Sequence, residues 1–196
     1  MLDHVGRCRP IMYLESNDHH RPLLELVDIH KAYAGVPALT GATLTIQTEG
    51  SNAGASVVGS AQLTTAGNIS GFAIFRYDPT GQEAVVPLET RNASAYMLAF
   101  DNTNGVATGL ALASVSSQAA NVPVVVRDDT GAILGTEIIS LAAHGHASFV
   151  LTDRYAFAAA KRGTVEFNTP AGVQISVLGL RGTSAGAVTT IPVLAK

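Results

Sequence analysis

From residue 57 to residue 194, short apolar runs alternate with turn signals at intervals of roughly ten residues, a rhythm that suits strands and leaves almost no room for helices. The runs are 57–65, 69–77, 83–90, 95–101, 108–115, 122–127, 133–141, 147–151, 164–168, 173–181 and 187–194. Only 155–161 offers a short stretch of helix. Inside the runs the side chains alternate with the period of a strand. Thr108, Leu110 and Leu112 share one face, while Ala107, Gly109, Ala111 and Ala113 form an opposite face small enough for a second layer to approach closely. Val173, Ile175 and Val177 likewise lie opposite Gln174 and Ser176. Asp78-Pro79-Thr80-Gly81 and Asp128-Asp129-Thr130-Gly131 place Asp first and Gly last in a type I turn, so each is expected to join two antiparallel strands. The expected fold is all-β: an antiparallel β-sandwich, Ig-like or jelly-roll, of about ten strands.

Such a fold must hold by burial alone, because Cys8 is the only cysteine and neither an intrachain disulfide nor a multi-cysteine metal site can form. Charged residues are 14% of the 196-residue chain, below the ~25% of an average domain, and apolar residues are 47%, many of them Ala and Val. The formal net charge is -3 with three lysines, Lys31, Lys161 and Lys196, which lays no electrostatic footprint for nucleic acid or an anionic membrane. No stretch approaches the ~18 uninterrupted apolar residues of a spanning helix. The N-terminal residues include Asp3, His4, Arg7 and Arg9 with no apolar run of signal-peptide length, which places the chain in the cytoplasm as encoded. Residues 1–22 read as a poorly ordered leader, 23–48 as a separate lead-in, 49–56 as a Gly/Ser/Asn linker and 57–196 as the sandwich.

The lead-in carries Leu24-Glu25-Leu26, Ile29-His30-Lys31-Ala32-Tyr33, Gly35-Val36 and Ala38-Leu39. Over residues 23–47, about an eighth of the chain, it resembles the first strands of the ATP-binding subunit of ABC transporters, especially sugar importers. The resemblance implies that Tyr33 stacks on adenine and that 35–39 turns into the next strand. The element that should follow is G-x-x-x-x-G-K-[ST], whose backbone amides cradle phosphates while its lysine reaches the terminal phosphates. It is absent: Lys31 follows His30, Lys161 follows Ala160 and Lys196 follows Ala195. Met97-Leu98-Ala99-Phe100-Asp101 is followed by Asn102 rather than a catalytic Glu, and there is no LSGGQ-like signature. ATP hydrolysis is not expected, and the break after Gln47 reads as a seam between two unrelated sequence styles.

Beyond that seam, Gly71-Phe72-Ala73-Ile74-Phe75-Arg76, Phe100-Asp101-Asn102-Thr103, Thr108-Gly109-Leu110-Ala111-Leu112-Ala113, Arg162-Gly163-Thr164-Val165-Glu166-Phe167 and Ile175-Ser176-Val177-Leu178-Gly179-Leu180-Arg181 resemble β-sandwich modules of secreted or surface-exposed bacterial proteins. The likeness runs from about residue 59 to residue 194 and implies architecture and an extracellular type of location, with no assigned chemistry. It conflicts in compartment with the cytoplasmic lead-in. A gene fusion, a rearrangement or a mis-assembled reading frame near Glu49 would explain the junction.

The candidate sites each have a plainer alternative. His144-Gly145-His146 puts two imidazoles at i and i+2, on one face if the segment is extended, where they supply two ligands to zinc or another divalent ion; the alternative is a polar hairpin tip. His19-His20 is expected to be solvated. Asp101-Asn102-Thr103-Asn104-Gly105 offers oxygen ligands for calcium but lacks the acidic spacing of an EF-hand, and an Asx turn fits it better. Gly182-Thr183-Ser184-Ala185-Gly186 matches a nucleophile elbow in letters, yet no His or Asp follows it, so a turn is expected. Arg76, Arg127 and Arg181 each end a run, and Glu83, Glu89, Glu137 and Glu166 are available to pair with them, either as surface ion pairs or as a rim for a carboxylate or sugar.

The leading expectation is a non-enzymatic module without a cofactor, serving structure, adhesion or the binding of a protein or carbohydrate. Two readings of other classes stand beside it. One is a catalytically dead, truncated ATP-binding subunit that uses Tyr33; the other is a metal-dependent hydrolase that uses His144 and His146.

Overall fold

The computed structural model describes residues 24–26, 32–33, 36–37, 59–63, 70–77 and 82–196. The leader 1–22, the linker 49–56, the 78–81 turn and the side chains of Tyr33 and Arg76 lie outside the described residues. Two compact units are present, one containing the short strands up to residue 63 and the other spanning Ser70–Lys196.

In the first unit β1 (Leu24–Leu26) pairs in parallel with β4 (Ala61–Leu63), and β2 (Ala32–Tyr33) pairs antiparallel with β3 (Val36–Pro37). Tyr33 and Val36 are backbone register partners in that small ladder. The β1–β4 pair departs from the expected antiparallel pattern, and it joins the lead-in to residues that the strand rhythm gave to the sandwich. A three-residue run carries no periodicity that names its partner.

The second unit opens with a hairpin of β5 (Phe72–Tyr77) and β6 (Gln82–Pro87), antiparallel from Phe72↔Pro87 to Tyr77↔Gln82. There follow β7 (Ala95–Asp101), β8 (Val106–Ser114), β9 (Ala120–Asp128), β10 (Ile133–Leu141) and β11 (His146–Val150). Helix α1 (Leu151–Arg154) and a single 3₁₀ turn, Ala156–Ala158, lead into β12 (Arg162–Asn168), β13 (Ile175–Thr183), β14 (Val188–Ile191) and β15 (Leu194–Ala195). A five-stranded sheet runs in the order β10-β9-β12-β7-β15 and a four-stranded sheet in the order β11-β8-β13-β14. Every ladder in both is antiparallel.

The two sheets share one apolar core. Alternation puts Tyr96, Leu98 and Phe100 of β7, Val122, Val124 and Val126 of β9, and Val165 and Phe167 of β12 on one side of it. Leu110 and Leu112 of β8 with Ile175 and Val177 of β13 supply the other side. Thr108, Leu110 and Leu112 are buried together, as the sequence alternation requires. β-Branched valines fill β9 because a stiff branched side chain packs well on a pleated surface. Pro123 is tolerated there because the β12 ladder stops at Val124, which leaves Pro123 with a strand neighbour on one side only.

Particular contacts fix the layers. The Tyr96 hydroxyl donates to the Arg91 carbonyl at 2.8 Å and accepts from the Ala93 amide at 3.4 Å, a tyrosine corner that satisfies a buried phenol and pins the entry to β7. Burial pushes the Tyr96 phenol above its ordinary value. Gly163 allows β12 and β9 to meet closely, since a Cβ there would lie 1.8 Å from the Arg127 carbonyl oxygen. The Asp128 turn forms as its residues demand: Thr130 N–H, the Thr130 hydroxyl and Ala132 N–H all donate to Asp128 Oδ1, and Gly131 takes φ +88°.

Beyond small shifts at other strand ends, the structure changes the character of two expected runs. Leu151, read as the end of a strand, begins α1, and the helical turns occupy Leu151–Arg154 and Ala156–Ala158 rather than 155–161. The single run 187–194 is two strands in different sheets, because Pro192 has no N–H with which to continue a ladder.

Candidate functional site

The two sheets meet along two lateral seams, and the seams are finished differently. Between the edge strands β10 and β11, the α1 segment and the 3₁₀ turn fill the gap. Leu151, Tyr155 and Ala158 are buried there, and Tyr155 meets the Phe149 ring edge-on at 5.9 Å and stacks on Phe157 at 5.4 Å. Arg154 sits over the Phe149 ring and donates to both Glu137 oxygens, at 2.7 and 3.2 Å. The Arg154 guanidinium holds Glu137 below the ordinary carboxylate value. Burial pushes the Tyr155 phenol up to about 12; its hydroxyl faces Glu137 and Arg154 without a hydrogen bond of normal geometry.

On the other seam, β15 covers only Tyr96 and Met97 of β7. Past it, Ala99, Phe100 and Asp101 line a groove of about 250 Å³ whose opposite wall is Arg181, Thr189, Thr190, Ile191 and Pro192. Arg181 and Thr189 are register partners on β13 and β14 and both are exposed. The Thr190 hydroxyl donates to the Val85 carbonyl, which fastens β6 alongside β14. Asp101 is held in an Asx turn, with Thr103 N–H and the Thr103 hydroxyl donating to Oδ1 at 2.9 and 2.6 Å and Arg162 Nε 3.4 Å from Oδ2. The Thr103 hydroxyl, more than the guanidinium, keeps the Asp101 carboxyl below its ordinary value.

The remaining sequence candidates are mostly absorbed by structure. Asn102 is buried, accepts from Thr108 N–H at 3.0 Å and donates to the Ala158 carbonyl at 3.1 Å, so the 101–105 loop is braced internally. His144 lies in a turn at φ +51°, so the extended geometry that would put it on one face with His146 does not exist. His144 is exposed, and Nδ1 of the half-buried His146 is buried without a partner. Among the described residues no group of three His, Cys, Asp or Glu side chains comes together. Gly182 and Thr183 end β13 and residues 184–187 turn into β14, with Gly186 N–H donating to the Thr183 carbonyl at 2.9 Å and no helix following.

Of the expected rim, Arg127 pairs with Glu166 at 3.7 Å, Glu89 with Arg91 at 2.6 Å and Glu137 with Arg154 at 2.7 Å. Among the described residues, the Arg181 side chain makes no hydrogen bond or ion pair, although its backbone lies in the β13 ladders. Its exposed charge beside a groove is a property that sequence alone does not distinguish from those of Arg76 and Arg127. Two apolar surfaces accompany it. Phe72, Ile74 and Val85 stand 65%, 56% and 52% exposed on one face of the β5–β6 hairpin, a face that single residues do not explain. The small-residue face of β8 forms a shallow depression of about 310 Å³ with Val150, Leu178 and Leu180.

No protein family, curated protein or solved structure matches this chain. No helix among the described residues is long and apolar enough to cross a membrane.

Proposed function

We propose that this chain is a non-enzymatic β-sandwich module, Ig-like or jelly-roll in type, that serves structure, adhesion or the recognition of a protein or carbohydrate in a bacterial surface-type protein, and that it carries a truncated ABC-type ATP-binding lead-in. The observation that carries the reading is Arg181: Asp101, Glu89, Glu137 and Glu166 are each engaged in a turn or an ion pair, and among the described residues the Arg181 side chain has no partner beside its groove. The exposed apolar face of the hairpin supports adhesion, and the tyrosine corner at Tyr96 is a feature that recurs in Ig-like sandwiches. The partner is a protein or carbohydrate of unidentified kind.

The test is to pass the full chain over immobilised glycan and peptide arrays and, in parallel, to offer it ester, amide and phosphoester substrates with added zinc. Saturable binding without turnover supports the module. Zinc-dependent turnover lost in His144→Ala or His146→Ala would overturn it in favour of a hydrolase. Saturable ATP binding lost in Tyr33→Ala would move the function to the lead-in.

A further inference from the structure

Antiparallel neighbours draw alternate residues of a strand to the same side. On β7 the odd-numbered positions turn toward β15, as the 2.9 Å bond from Lys196 N–H to the Ala95 carbonyl indicates, and the even-numbered ones turn toward β12, as Asn102 N–H to the Lys161 carbonyl indicates just beyond the strand. Asp101 is odd, and its N–H and carbonyl are both met by the Thr108 hydroxyl, at 3.3 and 3.2 Å. Ala99 is odd as well, and among the described residues no strand pairs with it on that side. The chain passing from β14 to β15 runs by this point as Pro192, which lines the same groove and has no N–H to give the Ala99 carbonyl.

A bare edge is a template for one more strand, with backbone hydrogen bonds giving affinity and the neighbouring side chains giving choice. The groove, at about 250 Å³, falls short of the ~300 Å³ at which enclosed small-molecule sites begin, which favours an occupant held by its backbone. Its charge favours an acid. Asp101 already faces Arg162 and the Thr103 hydroxyl, whereas Arg181 has no counter-charge among the described residues, and Thr189 sets a hydroxyl beside it.

The geometry points to strand addition: an extended peptide of a partner protein pairs with Ala99 on the open edge of β7 and places a carboxylate on Arg181. This names the partner class for the binding-module reading and rests on it. A guanidinium and a carboxylate form a directional, charge-assisted pair, so the peptide's register is set by its acid.

The probe is an acetylated Thr-Val-Thr-Val-Asp peptide, titrated into the isotope-labelled full-length chain while amide shifts are followed by NMR. The expected result is a saturable shift centred on Ala99 and Arg181, about tenfold or more weaker with the Asn-amide form of the peptide or with the Arg181→Gln chain, whose fold is verified from the same spectra. Arg181→Glu should lose this peptide and accept one ending in Lys. Unaltered affinity in Arg181→Gln, shifts confined to other surfaces, or no saturation at millimolar peptide would each overturn the inference. Glucuronic acid saturating the groove in place of the peptide would overturn the peptide but leave the module reading standing; binding of neither, together with silent arrays, would remove both.

Discussion

The two seams of the second unit are built from the same edge-strand problem and solve it in opposite ways. At the β10–β11 seam the chain spends a crossover on closure, burying Leu151, Tyr155 and Ala158 and covering the β10 edge with Phe157 and the Arg154–Glu137 pair. At the β7–β14 seam the crossover is only Pro192 and Val193, the covering strand β15 is two residues long, and the charged side chain of Arg181 has no partner among the described residues. Stability is thus concentrated at one seam and accessibility at the other. Turns and ion pairs elsewhere follow the first pattern, in which polar groups are consumed locally.

The largest expected contrast is in stability. Tyr155→Ala should cost about 3–5 kcal/mol in urea unfolding, because it empties a buried aromatic site between two other rings. Arg181→Ala should change stability by no more than ~0.5 kcal/mol, since its side chain is exposed and has no partner among the described residues. Comparable losses from the two would break the comparison.

A smaller effect is expected where the closing segment touches the β10 edge. A Cβ on Gly135 would sit 2.6 Å from Phe157 Cζ, so Gly135→Ala must push that ring aside and should cost about 1–3 kcal/mol. The cost should shrink when Phe157→Ala is added, since the obstacle is then gone. A strictly additive double variant would show that Phe157 does not close the edge.

Much of this architecture was legible in the residues. β7 and β10 match the sequence runs 95–101 and 133–141, and the Asp128 turn closes as its residues demand, because strand alternation and turn chemistry are local properties. What was not legible depends on long-range pairing. Arg76, Arg127 and Arg181 look alike in sequence, and only the register that sets Arg127 beside Glu166 separates them. The bare edge at Ala99 exists because β15, some hundred residues later, pairs no further than Met97. Pro192 was the available signal for that stop, though a proline alone does not say which sheet edge it leaves open. His144 does not share an extended face with His146 for a local reason: Gly145 follows it in a turn tight enough that a Cβ on Gly145 would approach the Ala142 backbone to 2.9 Å, and His144 takes a positive φ.

The smallest effect separates the seams by pH. Glu137 titrates below its ordinary 4.5 because of Arg154, so the stability it contributes is complete above that value and is lost as pH falls through the lower folded-state value. With both side chains about a third exposed, the pair should be worth ~1 kcal/mol or less. Glu137→Gln should therefore be less stable than the parent at pH 7, with the gap closing in acid. A gap that widened in acid would mean that the pair opposes closure.

The most direct test of the open seam needs no ligand. Hydrogen exchange of the free full-length chain should find the Ala99 amide unprotected, while Leu98 and Phe100, turned toward β12, exchange about a hundredfold or more slower. Protection of Ala99 equal to that of its two neighbours would mean that the edge is already covered and that this seam is closed like the other.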